Sequence, residues 1–134
     1  MKTVIAYSLR NEIVSEANRH NFWARKYRRV TNHRFTAKIF SEIAFRDAGW
    51  HWDGKTNLTI SMTRVIKKYG KTMDDEQAAE ALKATQSGIA DALKVEDNNP
   101  HIKWVYNQRR GNLSILKSYV DVVITEEDME RKEC

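Results

Sequence analysis

Three adjacent carboxylates, Asp74, Asp75 and Glu76, stand between the basic run Lys67-Lys68-Tyr69-Gly70-Lys71 and a helical apolar pattern. A second acidic pair, Glu96-Asp97, follows that pattern. One carboxylate at a helix start serves as a cap and is favoured by the helix dipole. Three in a row repel one another unless a cation lies among them. Oxygen ligands from two segments, set in a basic background, suit a hard divalent ion such as Mg²⁺, or Mn²⁺ in its place, with phosphate as substrate. Asp74, Asp75, Glu76, Glu96 and Asp97 are therefore the candidate metal ligands. Lys83 lies seven residues beyond Glu76, on roughly the same helical face, where it would neutralise charge developing on a phosphodiester. The plainer alternative is that the acids are helix caps and Lys83 faces solvent.

The elements that must position these groups follow from periodicity. Ala78, Leu82, Thr85, Ile89 and Leu93 recur at helical spacing, so a helix of about five turns from Asp75 is expected. Asp74 is its N-cap, and Gln77 completes a capping box. Before it, Asn57 to Ile66 alternates Leu58, Ile60 and Met62 inward with Thr59, Ser61 and Thr63 outward, the period of a half-buried strand. The acids thus fall at a strand-to-helix junction. After the helix, Glu96-Asp97 opens a polar turn, and Ile102, Trp104 and Tyr106 alternate along a further strand. If that strand pairs with the one ending at Ile66, the two acidic groups converge at one edge of a sheet.

The rest of the chain completes the outline. Thr3 to Leu9 reads as a strand. Residues 24–48 read as a helix with Phe35, Ile39, Phe40 and Ile43 on its apolar face, a possible break at Thr31-Asn32-His33, and a stop at Gly49. Trp50-His51-Trp52-Asp53-Gly54 reads as an aromatic loop packed on the core. Arg110-Gly111-Asn112-Leu113 reads as a hairpin turn into an opposing last strand through Leu116, Val120, Val122 and Ile124, and residues 125–134 read as a frayed acidic tail. The expected fold is α+β: one domain over residues 1–134, with a mixed four-stranded sheet and two main helices in the order β-α-β-α-β-β.

Charge divides the chain in two. Residues 1–71 hold 15 Lys and Arg against 5 Asp and Glu, whereas residues 72–134 hold 8 against 13. A basic half suits a polyanion and an acidic half suits a cation. The long helix carries Arg25, Lys26, Arg28, Arg29, Arg34 and Lys38 without local acids to balance them, which points to phosphate contacts; Lys67, Lys68 and Lys71 extend that surface. The interleaved Phe22, Trp23 and Tyr27 are read as core. The lone Cys134 forms no internal disulfide, and the first residues lack the long apolar stretch of a secretory signal, so a reducing cytoplasm is expected. No Gly-rich phosphate loop or paired-cysteine motif occurs, and the four histidines have no ligand spacing.

Taken together, Met73-Asp74-Asp75-Glu76-Gln77, Ala81-Leu82-Lys83, Ser87-Gly88-Ile89-Ala90-Asp91-Ala92-Leu93, Val95-Glu96-Asp97-Asn98-Asn99-Pro100 and Trp104-Val105-Tyr106-Asn107-Gln108-Arg109-Arg110-Gly111 resemble the RusA-like Holliday junction resolvases, especially phage-borne members. Upstream, Ala17-Asn18-Arg19 and Phe22-Trp23 are similar to the basic N-terminal segment of that family, which adds Arg19 to the DNA-binding candidates. The resemblance implies a Mg²⁺-dependent, homodimeric endonuclease that cuts branched DNA in recombination and repair. It implies catalytic carboxylates at Asp74, Glu76 and Asp97 and an essential lysine at Lys83. The chain departs from the pattern where Glu76, Gln77, Glu96 and Ser87 replace the usual Asp, Asn, Asp and Asp. Two competing classes stand beside this one. The first is a weakly active or inactive junction-binding protein on the same fold, and the second is a small interaction module.

Overall fold

The computed structural model describes residues 2–9, 23–66, 82–111 and 119–127, with side chains placed from Ile5 onward in the first stretch and from Thr31 onward in the second. Four strands and two helices alternate as β1 (Lys2–Leu9), α1 (Trp23–Ala48), β2 (Leu58–Ile66), α2 (Lys83–Leu93), β3 (Ile102–Arg110) and β4 (Tyr119–Glu126). The expected α+β class and element order are those observed.

β2 alternates as the sequence pattern requires. Leu58, Ile60 and Met62 are buried, while Thr59, Ser61 and Thr63 are partly exposed. The strands form one sheet in the order β1-β4-β2-β3. β2 and β3 run parallel, from Leu58 beside Ile102 to Ile66 beside Arg110. A parallel pair needs a crossover connection, and α2 lies within it. β4 is antiparallel to both β1 and β2.

That position of β4 corrects the hairpin expected at Arg110–Leu113. β3 and β4 are consecutive but not neighbours, because β4 inserts between β1 and β2 and uses both of its hydrogen-bonding edges there. Burial explains the exchange. Val120, Val122 and Ile124 are fully buried, as a central strand requires, whereas β3 exposes Lys103, Asn107 and Arg109, as an edge strand tolerates. β4 also reaches into the expected tail. Thr125 and Glu126 pair with β1 and β2, and Glu126 Oε2 accepts a 2.6 Å hydrogen bond from Thr56 Oγ1.

α1 is uninterrupted across Thr31-Asn32-His33 and ends at Gly49, whose φ of 67° is in the left-handed region that glycine adopts freely. Its buried face is not the expected one. Ala37, Ser41 and Phe45 face inward, whereas Phe35, Phe40 and Ile43 are 61%, 45% and 38% exposed. Inward positions at i, i+4 and i+8 form one stripe, and small side chains at its first two sites let α1 lie close to its neighbours. The large apolar residues fall outside that stripe. Tyr7 of β1 ties the helix down, since its hydroxyl is 2.6 Å from Ser41 Oγ and its ring packs edge-on to Phe45. Burial pushes the Tyr7 phenol well above its ordinary pKa.

The core lies between the two helices and one face of the sheet. Leu9, Ile60, Met62, Leu82, Ile89, Val122 and Ile124 are all fully buried, each contributing roughly 1.5–3 kcal/mol. Trp52 is buried beside them, its indole N–H donating to the Thr56 carbonyl at 3.1 Å, so the aromatic loop packs on the core. Asp53, in the same loop, accepts the backbone N–H groups of Lys55 and Thr56, which hold its carboxyl below the usual carboxylate range. Those bonds give it a turn-forming role.

Candidate active site

α2 carries the first candidate on its opening residue. Leu82 occupies the N-cap position with φ −91° and ψ 0°, and its carbonyl accepts the N–H of Gln86 at 2.9 Å. α2 therefore begins at Lys83, so the expected element is not one continuous helix through Leu82; its expected start at Asp75 lies outside the described residues. Placing Lys83 and Glu76 on one face assumed an unbroken helix, so that argument lapses. The Asp74 cap, the candidates Asp74, Asp75 and Glu76, and Arg19, Lys67, Lys68 and Lys71 lie outside the described residues. Of the expected apolar positions, Leu82 at the N-cap and Thr85 and Ile89 within α2 are fully buried, Leu93 is only partly buried, and Ala78 lies outside the described residues.

Asp97 reaches the same helix from the turn beyond it. Lys94 closes α2 in the left-handed conformation at φ 63°, and the chain turns back through Glu96 to Asn99 toward β3. Two contacts then place Asp97. Its main-chain oxygen accepts the Trp104 indole N–H at 2.8 Å, and its Oδ2 accepts the Ser87 hydroxyl at 3.3 Å. Ser87 is four residues after Lys83 on α2, so these two residues lie on roughly one helical face, about 6 Å apart along the axis, and Asp97 meets the helix at Ser87. Tyr106 on β3 completes this surface by donating its hydroxyl to Gln86 Oε1. Burial first, and then the nearby Asp97 charge, raise the Tyr106 phenol above its ordinary pKa.

Glu96 takes a different direction. It is exposed and lines an open, polar groove of about 420 Å³ with Lys38, Asp91, Lys94 and Val95. β3 pairs with β2, as convergence at the sheet edge required. The parallel register nevertheless starts β3 beside Leu58, at the far end of β2 from Ile66. It is the fold-back of Asp97 onto Ser87, and not the strand start, that brings this carboxylate to α2.

Asp97 is half-buried and offers carboxylate oxygen beside polar groups, which is the ligand type that Mg²⁺ or Mn²⁺ takes. Among the described residues, no three His, Cys, Asp or Glu side chains gather around one point.

The basic candidates divide by position. Arg25, Lys26, Arg28 and Arg29 fall within the first two turns of α1, and their side chains lie outside the described set. Arg34, read as a phosphate contact, is instead committed to α2. Its Nε and Nη2 donate to Asp91 Oδ2 and Oδ1 at 2.7 and 2.9 Å. The balancing acid is 57 residues away in sequence, which is why local charge counting missed it. Sequence reading also passed over Ser87, Gln86, Trp104 and Tyr106 as partners of Asp97 and its neighbourhood; the alternation of Trp104 with Tyr106 was the one available signal.

The Arg34 hydrogen bonds, and then its charge, hold the Asp91 carboxyl below the usual range. A depressed pKa stabilises the fold fully above the unfolded value, about 3.9, and the contribution fades as pH falls through the lower folded value. Asp91→Asn should therefore melt at a lower temperature than the native chain at pH 7, by an amount that shrinks steadily below about pH 4. Melts that stay equally far apart across that range would remove the pair from the acid response. Arg34 is 54% exposed at its side chain, so the effect is limited to about 1 kcal/mol or less.

No protein-family model matches the sequence, and no curated protein matches it either.

Proposed function

We propose that this chain is a divalent-cation-dependent endodeoxyribonuclease that hydrolyses phosphodiesters in branched DNA such as four-way junctions, acting as a homodimer in recombination and repair. The observation that supports the reading is the contact between Asp97 and Ser87 of α2, the helix whose first residue is Lys83. A carboxylate and an ammonium brought to one helix would take two complementary roles in phosphodiester chemistry. Asp97 offers oxygen to the cation, and Lys83 is exposed, free to meet negative charge on the phosphate. Bound Mg²⁺ would supply Lewis acidity and a more acidic water. Asp74 and Glu76 would complete the oxygen set. Arg19, Arg25, Lys26, Arg28, Arg29, Lys67, Lys68 and Lys71 would follow the phosphates on either side. A dimer would present two such sites to opposed strands. Among the described residues, no helix is long and apolar enough to cross a membrane.

The test is cleavage of a labelled four-way junction and of a linear duplex with the same arm sequence, in chelator, Ca²⁺, Mg²⁺ and Mn²⁺. The expected result is paired nicks in the junction with Mg²⁺ or Mn²⁺, none in chelator, and little cutting of the linear duplex. Tight, salt-sensitive junction binding without a cut product in any metal would replace this reading with a non-catalytic junction-binding protein. Absence of salt-sensitive binding would leave only an interaction module.

A further inference from the structure

Asp97 is in a turn, and a turn carboxylate left to itself samples many rotamers. Here two donors from different elements restrain it. The Trp104 indole on β3 fixes the main chain at Asp97, and the Ser87 hydroxyl on α2 meets one carboxylate oxygen. Trp104 is itself anchored, since it packs against the buried core and pairs in register with Ile60. Ser87 is equally fixed, because the next residue, Gly88, is buried close against Arg34 and Ala37 of α1. At 3.3 Å the Ser87 contact is long for a hydroxyl–carboxylate bond. It orients the group while leaving lone pairs on both oxygens for another partner.

We propose that Ser87 and Trp104 are positioning residues that hold the Asp97 carboxylate against α2, ready to bind a divalent cation. The inference rests on reading Asp97 as a cation ligand. Its physical basis is that an outer donor which fixes a ligating carboxylate removes its rotational freedom before the ion arrives. Ser87 contributes a donor and no charge, so it orients Asp97 without adding a repelling carboxylate beside it.

Mn²⁺ binding to the full chain, measured by titration calorimetry in the absence of DNA, tests this apart from catalysis. The variants are Ser87→Ala, Ser87→Thr and Trp104→Phe, each checked for an unchanged circular dichroism spectrum. Ser87→Ala should weaken Mn²⁺ binding by roughly 10–100-fold, as loss of an outer-shell partner does. Ser87→Thr keeps the hydroxyl and should restore affinity to near the native value, which a purely packing role for Ser87 would not produce. Trp104→Phe keeps the ring, loses the N–H and should weaken binding in the same direction, so it carries the test should Ser87→Ala not fold. Native Mn²⁺ affinity in folded Ser87→Ala and Trp104→Phe overturns the positioning role alone. Failure of the native chain to bind Mn²⁺ overturns the cation site, and the positioning role with it.

Discussion

Asp97→Asn should bind a four-way junction as tightly as the native chain, or more tightly, and should cut it at a rate reduced by more than the roughly 10–100-fold that outer-shell losses cost. The substitution keeps the size of the side chain and an oxygen able to accept from Ser87, so the turn held by Trp104 should persist. It removes the negative charge that a divalent ion needs at this point. It also removes a charge that repels phosphate, which is why affinity is held or raised. Cleavage measured under single-turnover conditions, together with binding measured in Ca²⁺, separates the two effects. Cutting at the native rate would exclude Asp97 from the site, and weakened binding in step with cutting would assign it a folding role.

Gly88→Ala should lower the melting temperature, although helix propensity alone argues for the opposite sign. In an exposed helix the change would gain about 1 kcal/mol. Here the added Cβ would strike the Arg34 carbonyl of α1 and come within 2.6 Å of Ala37 Cβ. Neither obstacle is the end of a flexible side chain. Relief requires α1 to move away from α2 as a body, and such overpacking costs about 1–3 kcal/mol. With the propensity gain offset, a net loss of up to about 2 kcal/mol remains, or up to roughly 6 °C in a chain of this size. An unchanged or raised melting temperature would show that the two helices are loosely apposed. The same displacement would disturb Arg34 on Asp91 and, through the adjacent Ser87, the hold on Asp97.

The contrast between the two helices shows how far local pattern reaches. At α2 the periodic positions Leu82, Thr85 and Ile89 are buried, together with Gly88 and Ala90, while Leu93 is only partly so. In α1 the sequence offers two stripes. The bulkier one, Phe35, Phe40 and Ile43, was the natural choice, yet the stripe with Ala37 and Ser41 is buried. Hydrophobicity counts cannot see that a close helix crossing selects small residues. Ion pairs are equally invisible to local counting, as Arg34 and its distant partner Asp91 demonstrate.

Residue order by itself determined the α+β class, the four strands and two helices seen among the described residues, the inward set of β2 and the stop at Gly49, because each follows from period or backbone freedom within a few residues. Tertiary structure alone decided that β4 enters the middle of the sheet, that α1 buries its small residues, and that Asp97 and Glu96 part company, one onto Ser87 and the other into an open groove. Those outcomes depend on which distant surfaces exclude water together and which donors meet across them, and no spacing along the chain encodes that.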